Sequence, residues 1–316
     1  MDYSQFDWVF GPMNQFPYNR TVIVSIETSR RNLEGSLFID RVLKAMNLGH
    51  VASNYPPKTE AALRQLHQHI ADDKTLTLHH KLSIIYYLLL DIDGRSSDSR
   101  SQADVFAAQA AIPEQYQIFM KGLWLLDTRN FILALEHLTH PSLIPDFADD
   151  IITVLVRHAA KHHSSNTDGG GADYTLALAY YHTVQPSLRS PAALQALFDA
   201  VARASVVEAF EFARAHADTM RPQLFRRLIH VVLDPRPDED VADRTFELAS
   251  LPFDADEERW FRDYLEAGEG KRLKGAKDTI VMRRIATGRG ALPADRPNWA
   301  SILEGVKAGT GGRAQA

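Results

Sequence analysis

Apolar side chains recur every three or four positions over most of the chain, and this spacing constrains the fold more than any other feature of the sequence. It matches one face of an α-helix, which repeats about every 3.6 residues. The clearest example, between residues 77 and 92, is formed by Leu78, Leu82, Ile85, Leu88, Leu89 and Ile92. The alternation of a β-strand is limited to Thr21–Ile26, which we interpret as a lone strand or part of an extended segment. The sequence therefore predicts an all-α fold.

The predicted helices are joined by short connections that are polar or contain proline. Pro191 and Pro222 stand in first helical turns, where the missing amide hydrogen does least harm. Helices with such short connections pack antiparallel to their neighbours. A chain of 316 residues is long for one compact core, and no strict repeat is visible. We therefore expect an irregular α-helical solenoid of stacked helical hairpins, with a compact helical bundle as the alternative.

The first 30 residues differ from the rest because they combine aromatic residues with prolines and show no helical periodicity. The aromatic residues of this segment are Tyr3, Phe6, Trp8, Phe10, Phe16 and Tyr18. We interpret residues 1–30 as an extended N-terminal arm that docks on a surface, either of its own helices or of a partner. Residues 31–290 then form the α-helical domain, and residues 291–316 form a partly flexible C-terminal extension.

The composition argues against several classes of protein. The chain has no cysteine, which removes disulfides, thiolate nucleophiles and cysteine-ligated metal sites and fits a reducing compartment. Its formal net charge of -5 argues against nucleic acid as the main partner. Because no run of about 18 apolar residues is present, we expect no membrane insertion. The first residues also lack the pattern of a secretory signal.

Candidate reactive groups do not combine into a catalytic or metal-binding pattern. His158 and His162 are four residues apart on a predicted helix, but no glutamate stands between them as in a helical zinc motif. The stretch Gly268-x-Gly270-Lys271 resembles the end of a phosphate-binding loop, yet arginine follows the lysine where serine or threonine is needed. We therefore predict that the protein is not an enzyme and binds neither a cofactor nor a metal.

Residues 271–290 form a strongly basic segment in which seven cationic residues stand against the single acid Asp278. The cationic residues are Lys271, Arg272, Lys274, Lys277, Arg283, Arg284 and Arg289. Such a segment can contact phosphates or an acidic protein surface, or it can be the solvated face of a helix. The apolar residues within it favour a folded helix over a loose tail.

Several stretches of the chain form a recognisable series when they are taken in order: residues 37–46, Tyr55-Pro56-Pro57, Lys81–Asp91, residues 122–138, Pro141–Pro145, Ala209–Arg214 and Leu224–Ile229. Together they resemble the helical domain of the ELYS family of nuclear pore assembly proteins, in its short fungal form. The resemblance covers roughly residues 36–290. It implies an α-solenoid that joins the Y-shaped scaffold complex of the nuclear pore, and it brings no catalytic residues.

The resemblance also implies a location and a set of partners. The location is the nucleus, at the nuclear pore and envelope. The partners are other nucleoporins of the Y complex, above all the short-arm subunit with a propeller and a solenoid, and its neighbour. Larger animal members add a propeller and a tail with DNA-binding hooks. We expect no propeller here, and Thr287-Gly288-Arg289-Gly290 lacks the Arg-Pro of a hook core.

The sequence thus predicts a structural nucleoporin that supports pore assembly through protein–protein contacts. The predicted contact residues belong to the arm and to the basic segment, and they are Phe6, Trp8, Phe10, Lys271, Arg272, Arg283 and Arg284. They are chosen because the helical core does not obviously use them. The alternative is a nucleic-acid or chromatin adaptor that uses residues 271–290. A third hypothesis, an enzyme built on a helical bundle, requires a cavity with convergent polar groups.

Overall fold

The structure, a computed structural model, describes residues 2–11, 16–94, 101–165, 173–234 and 241–288. Within these ranges all regular secondary structure is helical, which confirms the predicted all-α class. The α-helices are α1 Phe6–Phe10, α2 Arg20–Asn32, α3 Phe38–Ala45, α4 Gly49–Ala52, α5 Glu60–Asp72, α6 Leu78–Asp93, α7 Gln102–Gln109, α8 Glu114–Asp127, α9 Phe131–Leu138, α10 Ala148–Ser165, α11 Thr175–Val184, α12 Pro191–Ala204, α13 Val206–Arg214, α14 Arg221–Leu233, α15 Val241–Ser250, α16 Ala255–Arg262 and α17 Ala276–Ala286. A π-helical segment, Asp263–Ala267, and a 3-10 turn, Glu269–Arg272, lie between α16 and α17.

The chain forms two compact units. The first unit comprises Met1–Ala148 and Ala179–Ser187, and the second unit comprises Asp149–Leu178 and Leu188–Ala316. The stacking of hairpins into a solenoid stays a prediction, as does the division of the chain at residues 30 and 290. The predicted C-terminal extension, residues 291–316, lies outside the described residues.

The core of the first unit is built around α6. The Thr77 hydroxyl caps this helix by accepting a hydrogen bond from the amide of His80 at 3.3 Å. Every residue from Lys81 to Asp91 is buried, and α6 packs against α5, α7 and α8. A helix that is apolar nearly all round needs such neighbours on several sides. α8 in turn packs closely on α9 at Gly122, where a Cβ atom would lie 2.6 Å from the side chain of Leu138.

The second unit is centred on three helices, α12, α13 and α14, which pack against one another. Ser190 caps α12 and Ser205 caps α13, each by accepting a hydrogen bond from an amide three residues ahead. The apolar centre of this unit includes Phe198, Phe210, Phe225, Leu228 and Phe261. α14 also packs against α15 and α16, and α17 packs against α15.

The N-terminal residues are not the extended arm that the sequence predicts. Residues Phe6–Phe10 and Arg20–Asn32 are helical, and the Asn19 side chain caps α2 by accepting from the amide of Val22 at 3.0 Å. The prediction of a strand or extended chain at Thr21–Ile26 was therefore wrong. Val22 and Ile26 are four positions apart and both buried, so packing of one helical face overrides the strand preference of a β-branched run.

Candidate protein-binding surfaces

Aromatic side chains of α1 pack on α5 of the same unit. The rings of Phe6 and Phe10 each lie 5.7 Å from the imidazole of His67, edge to face. The Nε2 of His67 donates a hydrogen bond to the carbonyl oxygen of Tyr3 at 2.9 Å. Burial lowers the pKa of His67 and favours its neutral form, although this hydrogen bond opposes the shift.

The predicted contact residues of the N-terminal segment therefore have different environments. Phe6 and Phe10 are buried within their own unit, and the guanidinium of Arg64 lies 4.1 Å from the centre of the Phe6 ring. Trp8 is half-buried, with its ring 5.8 Å from that of Phe106. Only Trp8 of the three keeps a substantial part of its side chain open to a partner.

A buried carboxylate, Asp91 at the end of α6, connects three segments of the first unit. It accepts hydrogen bonds from the hydroxyls of Tyr18 at 3.0 Å and Tyr55 at 2.5 Å, and from the indole of Trp124 at 2.8 Å. Burial and the negative charge of Asp91 raise the pKa of Tyr55, so its hydroxyl stays protonated and can donate. Three donors offset the loss of water around this carboxylate.

A second buried carboxylate belongs to Asp127, the last residue of α8. Its side chain contacts the first turn of α3. It accepts hydrogen bonds from the amides of Phe38 at 2.7 Å and Ile39 at 3.1 Å, and from the hydroxyl of Tyr87 at 2.8 Å. Burial raises the pKa of Asp127 to about 7, although all three hydrogen bonds lower it. This carboxyl group therefore exchanges its proton close to neutral pH.

These two carboxylates form a structural junction. Each oxygen of Asp91 and of Asp127 accepts at least one hydrogen bond from the protein. Arg30 completes the junction, since it donates two hydrogen bonds to Asp40 and one to the carbonyl oxygen of Tyr55 at 2.8 Å.

α9 has apolar side chains on both faces. Its buried residues are Phe131, Ala134, Leu135 and Leu138. On the solvent side Ile132 is 67% exposed and Leu133 is 48% exposed. In the turn that follows, between two prolines, Ile144 is 78% exposed. Ile132 and Leu133 are neighbours on α9, and Ile144 lies in the turn after it; exposed aliphatic side chains of this kind are candidates for an interaction surface. Ile132, Leu133 and Ile144 are called the α9 face below.

The turn that carries Ile144 also contributes to an apolar groove of about 370 Å³ in the first unit. The groove is lined by Val42, Ala45, Met46, His80, Ser83, Tyr116, Phe119, Met120, Asp146 and Phe147. The rings of Phe119 and Phe147 stack with their centres 6.4 Å apart. Asp146 and Phe147 follow Ile144 after Pro145, so the chain connects the α9 face to the lining of this groove.

One predicted contact residue of the basic segment, Arg283, is used inside the second unit. Its Nε donates to the carboxylate of Glu258 at 2.9 Å, and a terminal nitrogen donates to the carbonyl oxygen of Ala249 at 2.9 Å. The guanidinium also lies 3.9 Å from the centre of the Phe253 ring. Arg283 is buried, so the reason for selecting it as an unused surface charge does not hold.

The other described cations of the basic segment are exposed. Arg284 lies 3.5 Å from the carboxylate of Glu266. Lys271 and Arg272 make no ion pair with any residue in the described ranges. Arg289, which the sequence analysis grouped with them, lies outside those ranges.

The sequence model of a known family fits the region that contains Asp91, Asp127 and the α9 face. This model, ELYS, nuclear pore complex assembly, matches residues 36–268, well over half of the chain. The chain belongs to the ELYS family. It is also similar to the uncharacterized protein ely5 of Schizosaccharomyces pombe (strain 972), with 30% identity over 161 residues. That alignment covers 49% of this chain, which spans about half (51%) of the relative.

The ELYS match confirms the predicted family. It also separates the candidate surfaces into those inside and those outside the matched residues. Asp91, Asp127 and the α9 face lie inside the matched residues, whereas α1 and the cations from Lys271 onward lie outside them. The family is a structural one and not a family of enzymes. The sequence analysis did not single out Asp91 or Asp127. The available signal was an aspartate directly after the apolar stretches Leu88-Leu89-Leu90 and Trp124-Leu125-Leu126.

In the described part of this ELYS-family chain, no group of three or more histidine, aspartate or glutamate side chains could hold a metal ion. No helix in the same ranges has both the length and the apolar character that a membrane span requires.

Proposed function

We propose that this ELYS-family chain is a structural nucleoporin that binds the Y-shaped scaffold complex of the nuclear pore and supports pore assembly. It acts in the nucleus, at the pore. Its partners are the short-arm Y-complex subunit with a propeller and a solenoid, and the neighbour of that subunit. The observation that carries the proposal is the α9 face, three exposed aliphatic side chains within the family-matched residues.

The energetics of the α9 face suit a protein partner. Burial of a fully exposed aliphatic side chain contributes about 1.5–3 kcal/mol. These three side chains are already partly covered, so their burial should contribute about 3 kcal/mol in total. That is roughly a hundredfold in affinity. A stable interface buries about 1,000 Å² or more, so the contact must extend beyond three residues, and the adjacent groove offers further apolar surface.

The test is a triple variant, Ile132→Ser, Leu133→Ser and Ile144→Ser, in the full chain. We expect its affinity for the purified Y complex, measured by biolayer interferometry, to fall roughly 30- to 100-fold. Helical circular dichroism should be unchanged, because these side chains make few internal contacts. The matched control replaces Val24, Val207 and Phe246, exposed apolar residues elsewhere in the chain, by serine. An unchanged affinity of the α9 variant, or an equal loss in the control, would refute the proposed surface.

The remaining predicted contact residues are secondary in this proposal. Trp8, Lys271, Arg272 and Arg284 are at least partly exposed and can make further contacts with a partner. Replacing Trp8 by alanine should weaken binding less than the α9 variant does. An effect equal to that of the α9 variant would make the N-terminal segment the main contact instead.

The alternative function, a nucleic-acid adaptor through residues 271–290, has less support. Arg283 is buried against Glu258, and Arg284 is close to Glu266, so fewer cations face solvent than the sequence suggests. A contact that neutralises many phosphates loses roughly 10³-fold in affinity between about 50 and 200 mM salt. Failure to bind a DNA duplex at the lower salt concentration would eliminate this function.

A further inference from the structure

Four cations in the second unit are exposed and close together in the chain. They are Lys271, Arg272, Lys274 and Lys277, called the basic turn below. Among the described residues none of the four has an ion-pair partner. Several other arginines of this unit, by contrast, pair with a carboxylate, as Arg214 and Arg227 do. The positive charge of the basic turn is therefore not neutralised by ion pairs with other described residues.

The backbone of the basic turn is held in place by its glycines. Gly270 is buried against the ring of Tyr264, where a Cβ atom would lie only 2.5 Å from ring carbons. The amide of Leu273 donates to the carbonyl oxygen of Gly270 at 3.0 Å. Gly275, with φ of 86°, adopts the left-handed conformation just before α17. A fixed turn presents its cations in a set arrangement and loses little backbone entropy on binding.

The surroundings of the basic turn favour a short anionic partner over a long one. Exposed acids flank it on both sides, Glu266 and Glu269 before it and Asp278 after it. Duplex DNA carries a charge about every 1.7 Å along its axis, so its phosphates would continue past the turn and meet these acids. A peptide with only a few acidic residues can contact the basic turn without reaching these flanking acids. The net charge of -5 for the whole chain also disfavours a long polyanion.

We propose that the basic turn binds a short acidic segment of a partner protein, with about four carboxylates facing the four cations. The basic turn shares no residue with the α9 face, and the proposal does not depend on whether that face binds the Y complex. Lysine suits such a role because its ammonium group is a point charge that needs no fixed geometry from a carboxylate.

Fluorescence anisotropy on the full chain tests this proposal. The probes are a labelled peptide with four consecutive glutamates, the same peptide with glutamines, and a labelled DNA duplex, each at about 50 and 200 mM salt. The variant replaces all four cations of the basic turn by glutamate. The matched control reverses the same number of exposed cations in the first unit, namely Arg20, Lys44, Lys58 and Lys74.

The glutamate peptide should bind at the lower salt concentration and the glutamine peptide should not. Reversing the basic turn should weaken glutamate-peptide binding about tenfold or more, because four exposed ion pairs are lost. The matched control should change it less than twofold. The proposal is overturned if the peptide does not bind, or if both charge reversals act equally. It is also overturned if the duplex binds more tightly than the peptide, which would mark a nucleic-acid contact.

Discussion

The two units satisfy their buried carboxylates in different ways. In the first unit Asp127 accepts hydrogen bonds from two amides and a hydroxyl, and burial raises its pKa to about 7. In the second unit Glu257 is also buried, but Arg214 and Arg221 both donate to its carboxylate. Burial alone would raise the pKa of Glu257, yet the two guanidinium groups outweigh it and lower the pKa.

The contrast shows that burial does not by itself decide whether a carboxyl group is ionised. Neutral donors compensate a buried carboxylate only in part, so Asp127 can take up a proton near neutral pH. Cationic donors keep Glu257 ionised down to acidic pH. The stability of the first unit should therefore depend on pH near pH 7 through Asp127, and that of the second unit should not depend on Glu257 there.

The largest effect should follow from Asp91→Ala in the first unit. This change leaves the hydroxyls of Tyr18 and Tyr55 and the indole of Trp124 without their acceptor. We expect a loss of about 3–5 kcal/mol in the free energy of unfolding, since several buried donors lose their partner together. Urea unfolding, followed by hydrogen exchange in α6 and α8, measures it. Asp72→Ala, at an exposed position, should cost less than about 0.5 kcal/mol.

The pH dependence of the first unit should be the next largest effect. The pKa of Asp127 is raised in the folded state, so its protonation contributes stability that is fully present below about pH 4 and is lost as pH rises through about 7. Stability should therefore fall by about 2–3 kcal/mol between about pH 5 and pH 8. Burial lowers the pKa of His67, which acts in the opposite direction. The informative quantity is thus the difference between the parent chain and Asp127→Asn; identical profiles would contradict the role of Asp127.

Glu257→Gln should have a smaller effect, confined to the second unit. The change removes the negative charge that Arg214 and Arg221 share but keeps an oxygen that can accept a hydrogen bond. Since both arginines can reach water, we expect a loss of about 2 kcal/mol at neutral pH. The lowered pKa of Glu257 stabilises the fold above its unfolded pKa, so this loss should disappear in strong acid. Glu269→Gln, at an exposed position, is the matched control. A loss that persists in strong acid would show that charge is not what holds Glu257.

Tyr87→Phe should produce the smallest effect. It removes one of the three donors to Asp127 and costs about 1 kcal/mol. Because that hydrogen bond lowers the pKa of Asp127, its removal should raise this pKa further and move the midpoint of the pH dependence upward. A midpoint that moves downward would mean that Tyr87 stabilises the protonated form instead.

The helical periodicity identified most of the helices but not α1 or the β-branched α2. α6 was predicted close to its observed bounds, and the first turns of α12 and α14 were predicted correctly at Pro191 and Pro222. α1 has only five residues, too few to show a period. α2 contains a run of valine, isoleucine and threonine, and its helical form depends on burial that the local sequence does not reveal.

The surface residues were harder to predict because their environment comes from distant parts of the chain. The sequence does not show that Phe6 and Phe10 pack against His67. It also does not show that Arg283 donates a hydrogen bond to Glu258. The α9 face was also not singled out. Every residue of Phe131–Leu138 except Glu136 and His137 is apolar, and only packing shows which side remains exposed.

The central claim is that the α9 face of this ELYS-family chain docks on the nuclear pore scaffold. Amide hydrogen exchange of the full chain, with and without purified Y complex, tests it most directly. We predict slower exchange in residues 131–147 on complex formation, with α2 and α15, which carry the control residues Val24 and Phe246, unchanged. Binding of the complex without any slowing in residues 131–147 would contradict the account.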